Sequence, residues 1–110
     1  MRVLKFIVNG QSIKKDPKCD FSGLVPGTDG YLKAEISFSS EWDGYVKAAG
    51  FYSMLGEEYR SYVLADGKTC KIPAEALKRR AFKIKIVGKR KDGPKLTTNK
   101  VTVSQNGGKT

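Results

Sequence analysis

Apolar and polar residues alternate along four stretches of the chain, which is the pattern of β-strands that bury one face and expose the other. These stretches are RVLKFIV (2–8), YLKAEISFSS (31–40), AFKIKIVG (81–88) and NKVTVSQ (99–105). In the third, Phe82, Ile84 and Ile86 are predicted to face the core, and Lys83 and Lys85 to face solvent. A fifth stretch, YVKAAGFYS (45–53), is apolar on both faces and is expected to be a central strand.

Turn signals separate these stretches. They are NG (9–10), PGTDG (26–30) and the Asp-Gly pairs at 43–44, 66–67 and 92–93. The pair at 66–67 lies between EYRSYVLA and KTCKI and predicts a β-hairpin there. In IPAEALKRR, Pro73 at a first helical position, Glu75 in the first turn and basic residues at the end predict one helical turn.

Short strands separated by turns predict an all-β fold, a single immunoglobulin-like β-sandwich of about seven or eight strands with one short helical turn. The length of 110 residues suits one such domain. We assign residues 1–104 to the sandwich and 105–110 to a flexible C-terminal tail. Membrane insertion and export are not expected, because no apolar run approaches the roughly 20 residues of a membrane span and MRVLKFIVNG is interpreted as a first strand.

Charge is distributed unevenly along the chain. The net charge is +10, yet residues 1–77 hold equal numbers of acidic and basic residues, so the whole excess lies in residues 78–110. This asymmetry indicates a binding surface for an acidic protein, a nucleic acid or a polyanionic cell wall. A solvated basic face that only keeps the protein soluble explains it equally well.

The chain lacks the residues of the commonest active sites. It has no histidine, which removes Ser-His-Asp and Cys-His catalysis and His-bearing zinc sites. Cys19 and Cys70 are predicted to be free thiols, because no export signal precedes them and the core is large enough without a disulfide. Acidic pairs occur only near turns, where solvated side chains are expected. We predict a protein that is not an enzyme, with no catalytic residues, cofactor or metal.

One ordered series runs through EISFSSEWDGYVKAAGFYS, YVLADGKTCKIPAEAL and FKIKIVGKRKDGPKLTTNKVTVSQNGG. It resembles a small immunoglobulin-like β-domain of structural proteins, such as baseplate, tail-fibre and head-fibre proteins, of phages of Gram-positive bacteria. The resemblance covers about residues 34–108, whereas residues 9–30 match no part of it. We interpret its positions as core positions and expect the indole N–H of the tryptophan to bond a carbonyl. They are Trp42, Phe51, Cys70, Ile72, Pro73, Leu77, Gly88, Thr97, Thr98 and Asn99.

The resemblance implies a virion protein, made in the cytoplasm of the bacterial host, that decorates a head or forms part of a tail or baseplate. Its expected partners are other virion proteins, further copies of itself, and the host surface or an anionic polymer on it. Two alternatives stay open. One is a nucleic-acid- or polyanion-binding module, and the other is a phage-encoded inhibitor that binds a host protein.

The basic stretch KRRAFKIKIVGKRK (78–91) is the candidate partner surface. We expect its strand and the residues after it to form one exposed basic edge that could bind polyanions without reading a sequence. Sheets that bind nucleic acids usually expose aromatic residues, and none is assigned to this face, so a purely solvated face is slightly favoured. The eight basic residues are Lys78, Arg79, Arg80, Lys83, Lys85, Lys89, Arg90 and Lys91.

Overall fold

The computed structural model describes residues 1–105, which form nine strands, one 3-10 turn (Ser40–Trp42) and one short helix, α1 (Ala74–Leu77). The all-β prediction is confirmed. The strand count exceeds the predicted seven or eight, because β2 and β8 each hold a single apolar residue and so show no alternation. The strands are β1 (Arg2–Asn9), β2 (Ser12–Lys15), β3 (Leu32–Phe38), β4 (Val46–Tyr52), β5 (Glu58–Val63), β6 (Thr69–Lys71), β7 (Ala81–Lys89), β8 (Lys95–Thr97) and β9 (Val101–Ser104).

The strands form two sheets that share one core. The first sheet has the order β2-β1-β3-β6, and the second has the order β5-β4-β7-β8, with β9 also paired to β7. β1 and β3 run parallel, whereas the other pairs described are antiparallel. A single cluster of buried side chains draws on both sheets, so their apolar faces cover each other.

The inward positions predicted from the alternation are confirmed. Phe82, Ile84 and Ile86 of β7 are fully buried, and β4 is a central strand between β5 and β7. The apolar positions of the other alternating strands also lie in the core or pack against it: Leu4, Phe6, Val8, Leu32, Ala34, Ile36, Phe38, Val101 and Val103.

The Asp-Gly pair at 66–67 forms a turn, but the predicted hairpin is wrong. β5 before the turn belongs to the second sheet, and β6 after it belongs to the first. The carboxylate of Asp66 accepts hydrogen bonds from the backbone N–H groups of Lys68 and Thr69, at 3.0 and 2.7 Å, and from the Thr69 hydroxyl. Such a turn signal predicts where the chain turns but not whether the two strands stay in one sheet.

The end of the domain differs from the sequence-based assignment. Gln105, which was assigned to the tail, is buried, and its side-chain amide donates hydrogen bonds to the carbonyl oxygens of Leu77 and Arg79, at 3.2 and 2.8 Å. The predicted flexible tail is therefore wrong at Gln105, and its remainder, 106–110, lies outside the described residues. Pro73 is the N-cap of α1, one position before the predicted one.

The two cysteines are free, as predicted. Cys70 is on β6 at one edge of the first sheet, and the Sγ of Cys19 lies at the other side, 3.4 Å from the β1 backbone N–H of Lys5. Two strand spacings, about 10 Å, separate β1 from β6, which is too far for a disulfide. Burial, helped by the charge of Asp66, raises the pKa of the Cys70 thiol to about 12, so this thiol is protonated at neutral pH and a poor nucleophile.

Residues 16–30, which lie within the segment 9–30 that the resemblance left unmatched, close one end of the core. Leu24 is buried, and the ring of Phe21 packs edge-on against that of Phe6, with centroids 5.4 Å apart. The backbone N–H of Gly27 donates to the carbonyl of Leu77 at 2.7 Å. This segment therefore joins β1 to the helix and belongs to the folded domain.

Candidate binding surface

The strand that carries the basic stretch lies inside its sheet, so the predicted basic edge is wrong. β7 pairs with β4 along one side and with β8 and β9 along the other. The alternation predicts which side chains of a strand point outward but not which strands neighbour it. The outward lysines of β7 therefore belong to an open sheet face.

The eight predicted residues do not form one cluster. Lys78–Arg80 precede the nine-residue strand β7, and Lys89–Lys91 close it, so the two groups are about 30 Å apart at 3.3–3.4 Å per residue. All six of these residues are exposed, as expected. Lys83 and Lys85 are half-buried, because side chains of the flanking strands surround them, and the prediction that they are largely exposed is wrong.

Two strands, β7 and β8, and the residue before β9 supply lysines to the outer face of the second sheet. Lys89 of β7 is directly opposite Lys95 of β8, with no acid between them. The ion pairs within 4 Å in residues 1–105 are Arg60–Glu75 and Arg90–Asp92, so these lysines lack acidic partners. We call the outward lysines of this surface the lysine face: Lys83, Lys85, Lys89, Lys95 and Lys100.

An aromatic ring, that of Tyr52, lies on the lysine face directly opposite Lys83. The Tyr52 side chain packs against Gly50, where an added Cβ would be 2.8 Å from the ring edge and from the hydroxyl oxygen. The Nζ atoms of Lys85 and Lys100 are 5.4 and 4.4 Å from the ring centroid, within the range of cation–π attraction. Burial raises the pKa of Tyr52, and Glu58 adds to this through a hydrogen bond and its charge.

Sequence reasoning missed Tyr52 because it assigned no aromatic residue to the face of the basic stretch. A signal was present, since Phe51 faces the core and its neighbour in a strand must face outward. The argument that the outward positions lack aromatic residues is therefore wrong.

A row of small apolar side chains crosses the same face. Ala48 of β4 is directly opposite Val63 of β5 and Val87 of β7. Val63 and the nearby Val46 keep 63% and 65% of their surface exposed, although burial of such side chains is favourable. The face thus combines an unpaired cationic part with an uncovered apolar part.

A shallow concavity of about 560 Å³ continues this surface at the end of β7. Its lining includes Val46, Lys89 and Lys91. Arg90 also lines it, with its guanidinium 5.6 Å from the ring centroid of Tyr45 and 3.4 Å from the carboxylate of Asp92. The predicted group 89–91 therefore joins the lysine face, whereas the group 78–80 lies at the opposite end of the strand.

Two core positions predicted from the sequence support this surface from beneath. Trp42 is fully buried, and its indole N–H donates to the carbonyl of Gly10 at 2.8 Å, as predicted. Gly88 of β7 lies against the indole, where an added Cβ would be 2.7 Å from Trp42 Cζ3. The absence of a side chain at Gly88 therefore lets β7 pack directly against the indole.

Residues 1–105 contain no group of three or more Cys, Asp and Glu side chains placed to hold a metal ion. Within the same residues, no helix has the length and hydrophobicity that a membrane span needs. Comparisons of the chain with protein families, with curated proteins and with solved structures find no match. The resemblance to phage structural domains therefore stays a prediction.

Proposed function

We propose that this chain is a non-enzymatic binding domain of immunoglobulin-like architecture and a structural component of a phage virion. The two sheets around one core support the architecture, and the ordered series that begins near Ala34 supports the virion role. The domain acts by docking, and it docks through the lysine face.

The observation that carries the docking surface is its uncompensated charge. Like charges directly opposite each other on antiparallel strands destabilise a sheet, and Lys89 and Lys95 are such a pair. The exposed Val46 and Val63 add an uncovered apolar area. An anionic partner that covers the lysine face would relieve the repulsion between the lysines and would bury the exposed valines. The lysine face is therefore the best docking surface of the described chain.

The virion role is tested by electron microscopy of purified particles labelled with an antibody to this chain. We expect label at one defined part of the particle, namely the head, the tail or the baseplate. Particles that carry no label, while the same antibody detects the chain in the infected cell, would contradict the virion role.

The docking surface is tested with the K83Q/K85Q variant supplied in place of the native chain during particle assembly. We expect the variant to fold, because the two side chains are only half-buried, and to be depleted from particles. The matched control is K14Q/K71Q, which removes the same charge from two exposed lysines of the first sheet. Equal incorporation of both variants would show that another surface docks.

A further inference from the structure

The lysine face has a regular geometry along its central strand. Lys83 and Lys85 are two residues apart on the same side of β7, and Lys89 lies on that side four residues after Lys85. Alternate residues of a strand repeat at about 6.8 Å. A nucleic-acid strand laid along β7 can place its phosphates on these lysines, and only a single strand has unpaired bases free to cover the apolar side chains beside them.

The charges near Tyr52 are held together against their repulsion. The centroid distances place the ammonium groups of Lys85 and Lys100 within 9.8 Å of each other, since both lie close to one ring. The ring attracts both cations through its electron-rich face. The two ammonium groups outnumber the one carboxylate beside the same ring, that of Glu58, and leave a net positive charge suited to a phosphate.

The apolar row lies beside the lysines. Ala48 and Val63 are on the strands next to β7, and Val87 is between Lys85 and Lys89 on β7 itself. A ligand that fits must therefore offer anionic groups at regular intervals and apolar faces next to them. A nucleic-acid strand does so with its phosphates and bases, whereas a polymer of glycerol phosphate has no apolar faces.

We propose that the lysine face binds single-stranded nucleic acid along β7, with the phosphates on the lysines and the bases over the apolar row and Tyr52. This inference rests on the proposed role of the lysine face as the docking surface and names its partner. Recognition is independent of base sequence, because lysines on phosphates carry no sequence information.

The test is fluorescence anisotropy with a labelled 15-nucleotide oligothymidylate and the purified chain. If the five lysines each contact one phosphate, the affinity falls about 100-fold between 50 and 200 mM salt. For K83Q/K85Q the same change of salt lowers the affinity only about 20-fold, and binding at 50 mM is weaker than for the native chain. The K14Q/K71Q control keeps the salt dependence of the native chain.

The G50A variant tests Tyr52 without changing any charge. The added Cβ would be 2.8 Å from the far end of the Tyr52 side chain, so the ring must move away and release the two lysines. We expect the affinity to fall about two- to fivefold, which is the factor that corresponds to the free energy of one exposed cation–π contact. The Y52F variant keeps the ring and is expected to bind like the native chain.

Three results would overturn the inference. The first is an absence of salt-dependent oligothymidylate binding at 50 mM salt. The second is an equal loss of binding in K14Q/K71Q and K83Q/K85Q, which would show that only net charge matters. The third is equal or tighter binding of a 15-base-pair duplex, of poly(glycerol phosphate) or of polyglutamate, each of which would assign a different partner.

Particle labelling and oligothymidylate binding are independent measurements. Labelled particles without oligothymidylate binding would leave the virion role intact and remove only this inference. Oligothymidylate binding by a chain that particles lack would contradict the virion role alone.

Discussion

At the scale of the residue, Gly88 leaves no room for a side chain beside the indole of Trp42. Any side chain at Gly88 must enter the space of the indole, because the sheet and the 3-10 turn hold both backbones in place. The indole is fully buried and its N–H is bonded to Gly10, so it has no free space into which it can move.

We expect G88A to lower the free energy of unfolding by about 1–3 kcal/mol, the usual cost of overpacking. The loss of stability caused by G88A should be smaller in a Trp42→Phe background, because the smaller ring leaves room for the methyl group. Urea denaturation of the two single variants and the double variant measures this coupling. Strictly additive costs would show that the contact does not determine stability.

Single residues also show what a sequence predicts and what it does not. The hydrogen bond of the Trp42 indole was expected, because a buried indole N–H needs an acceptor. The position of Tyr52 over Gly50 was not expected, because it depends on a side-chain rotamer and on Lys85 and Lys100, which other segments of the chain supply. Alternation therefore predicts the side of a sheet on which a residue lies, but not the neighbours that it meets there.

At the scale of the element, the turn after β5 decides which sheet receives the next strand. Asp66 organises this turn, because its carboxylate accepts hydrogen bonds from Lys68 and Thr69. These hydrogen bonds, those from Thr69 above all, hold the pKa of Asp66 well below its usual range. The folded state therefore favours the charged form more strongly than the unfolded state does.

A carboxyl group with a lowered pKa stabilises the fold above its unfolded pKa, near 4, and this contribution is lost as the pH falls. We expect D66A to melt below the native chain at pH 7, with a difference that narrows towards pH 2. Thermal melts of both chains at several pH values measure this difference in melting temperature. The control D29A removes an exposed aspartate from another turn. A difference for D66A that stays constant with pH would contradict this role.

The composition and the pairing partners of the strands explain the errors in the predicted elements. Strands such as β1, β3, β7 and β9 were visible as alternation, whereas β2 and β8 each hold a single apolar residue and show no period. The turn at 66–67 was predicted and the partner of β6 was not, because pairing between distant segments leaves no local signal. The central position of β7, which replaces the predicted edge, is an error of the same kind.

At the scale of the whole molecule, one core joins the two sheets, and Trp42 lies within it. The sheets should therefore unfold together in one cooperative transition. We expect the midpoints from Trp42 fluorescence and from the far-ultraviolet β-sheet signal to coincide in a urea titration. Separate midpoints would show that one sheet persists without the other.

The parallel pairing of β1 with β3 has a consequence for the order of events in time. An antiparallel hairpin closes through its own turn, but these two strands can pair only after residues 10–31 have doubled back. β6 completes the first sheet only after β4 and β5 have been made. Folds with such distant pairings acquire their structure in about milliseconds to seconds. During synthesis, one edge of β1 therefore stays unpaired until β3 has been made, and the apolar side of β1 stays uncovered until the strands of the second sheet follow. Until then β1 is an exposed apolar strand that can pair with other chains.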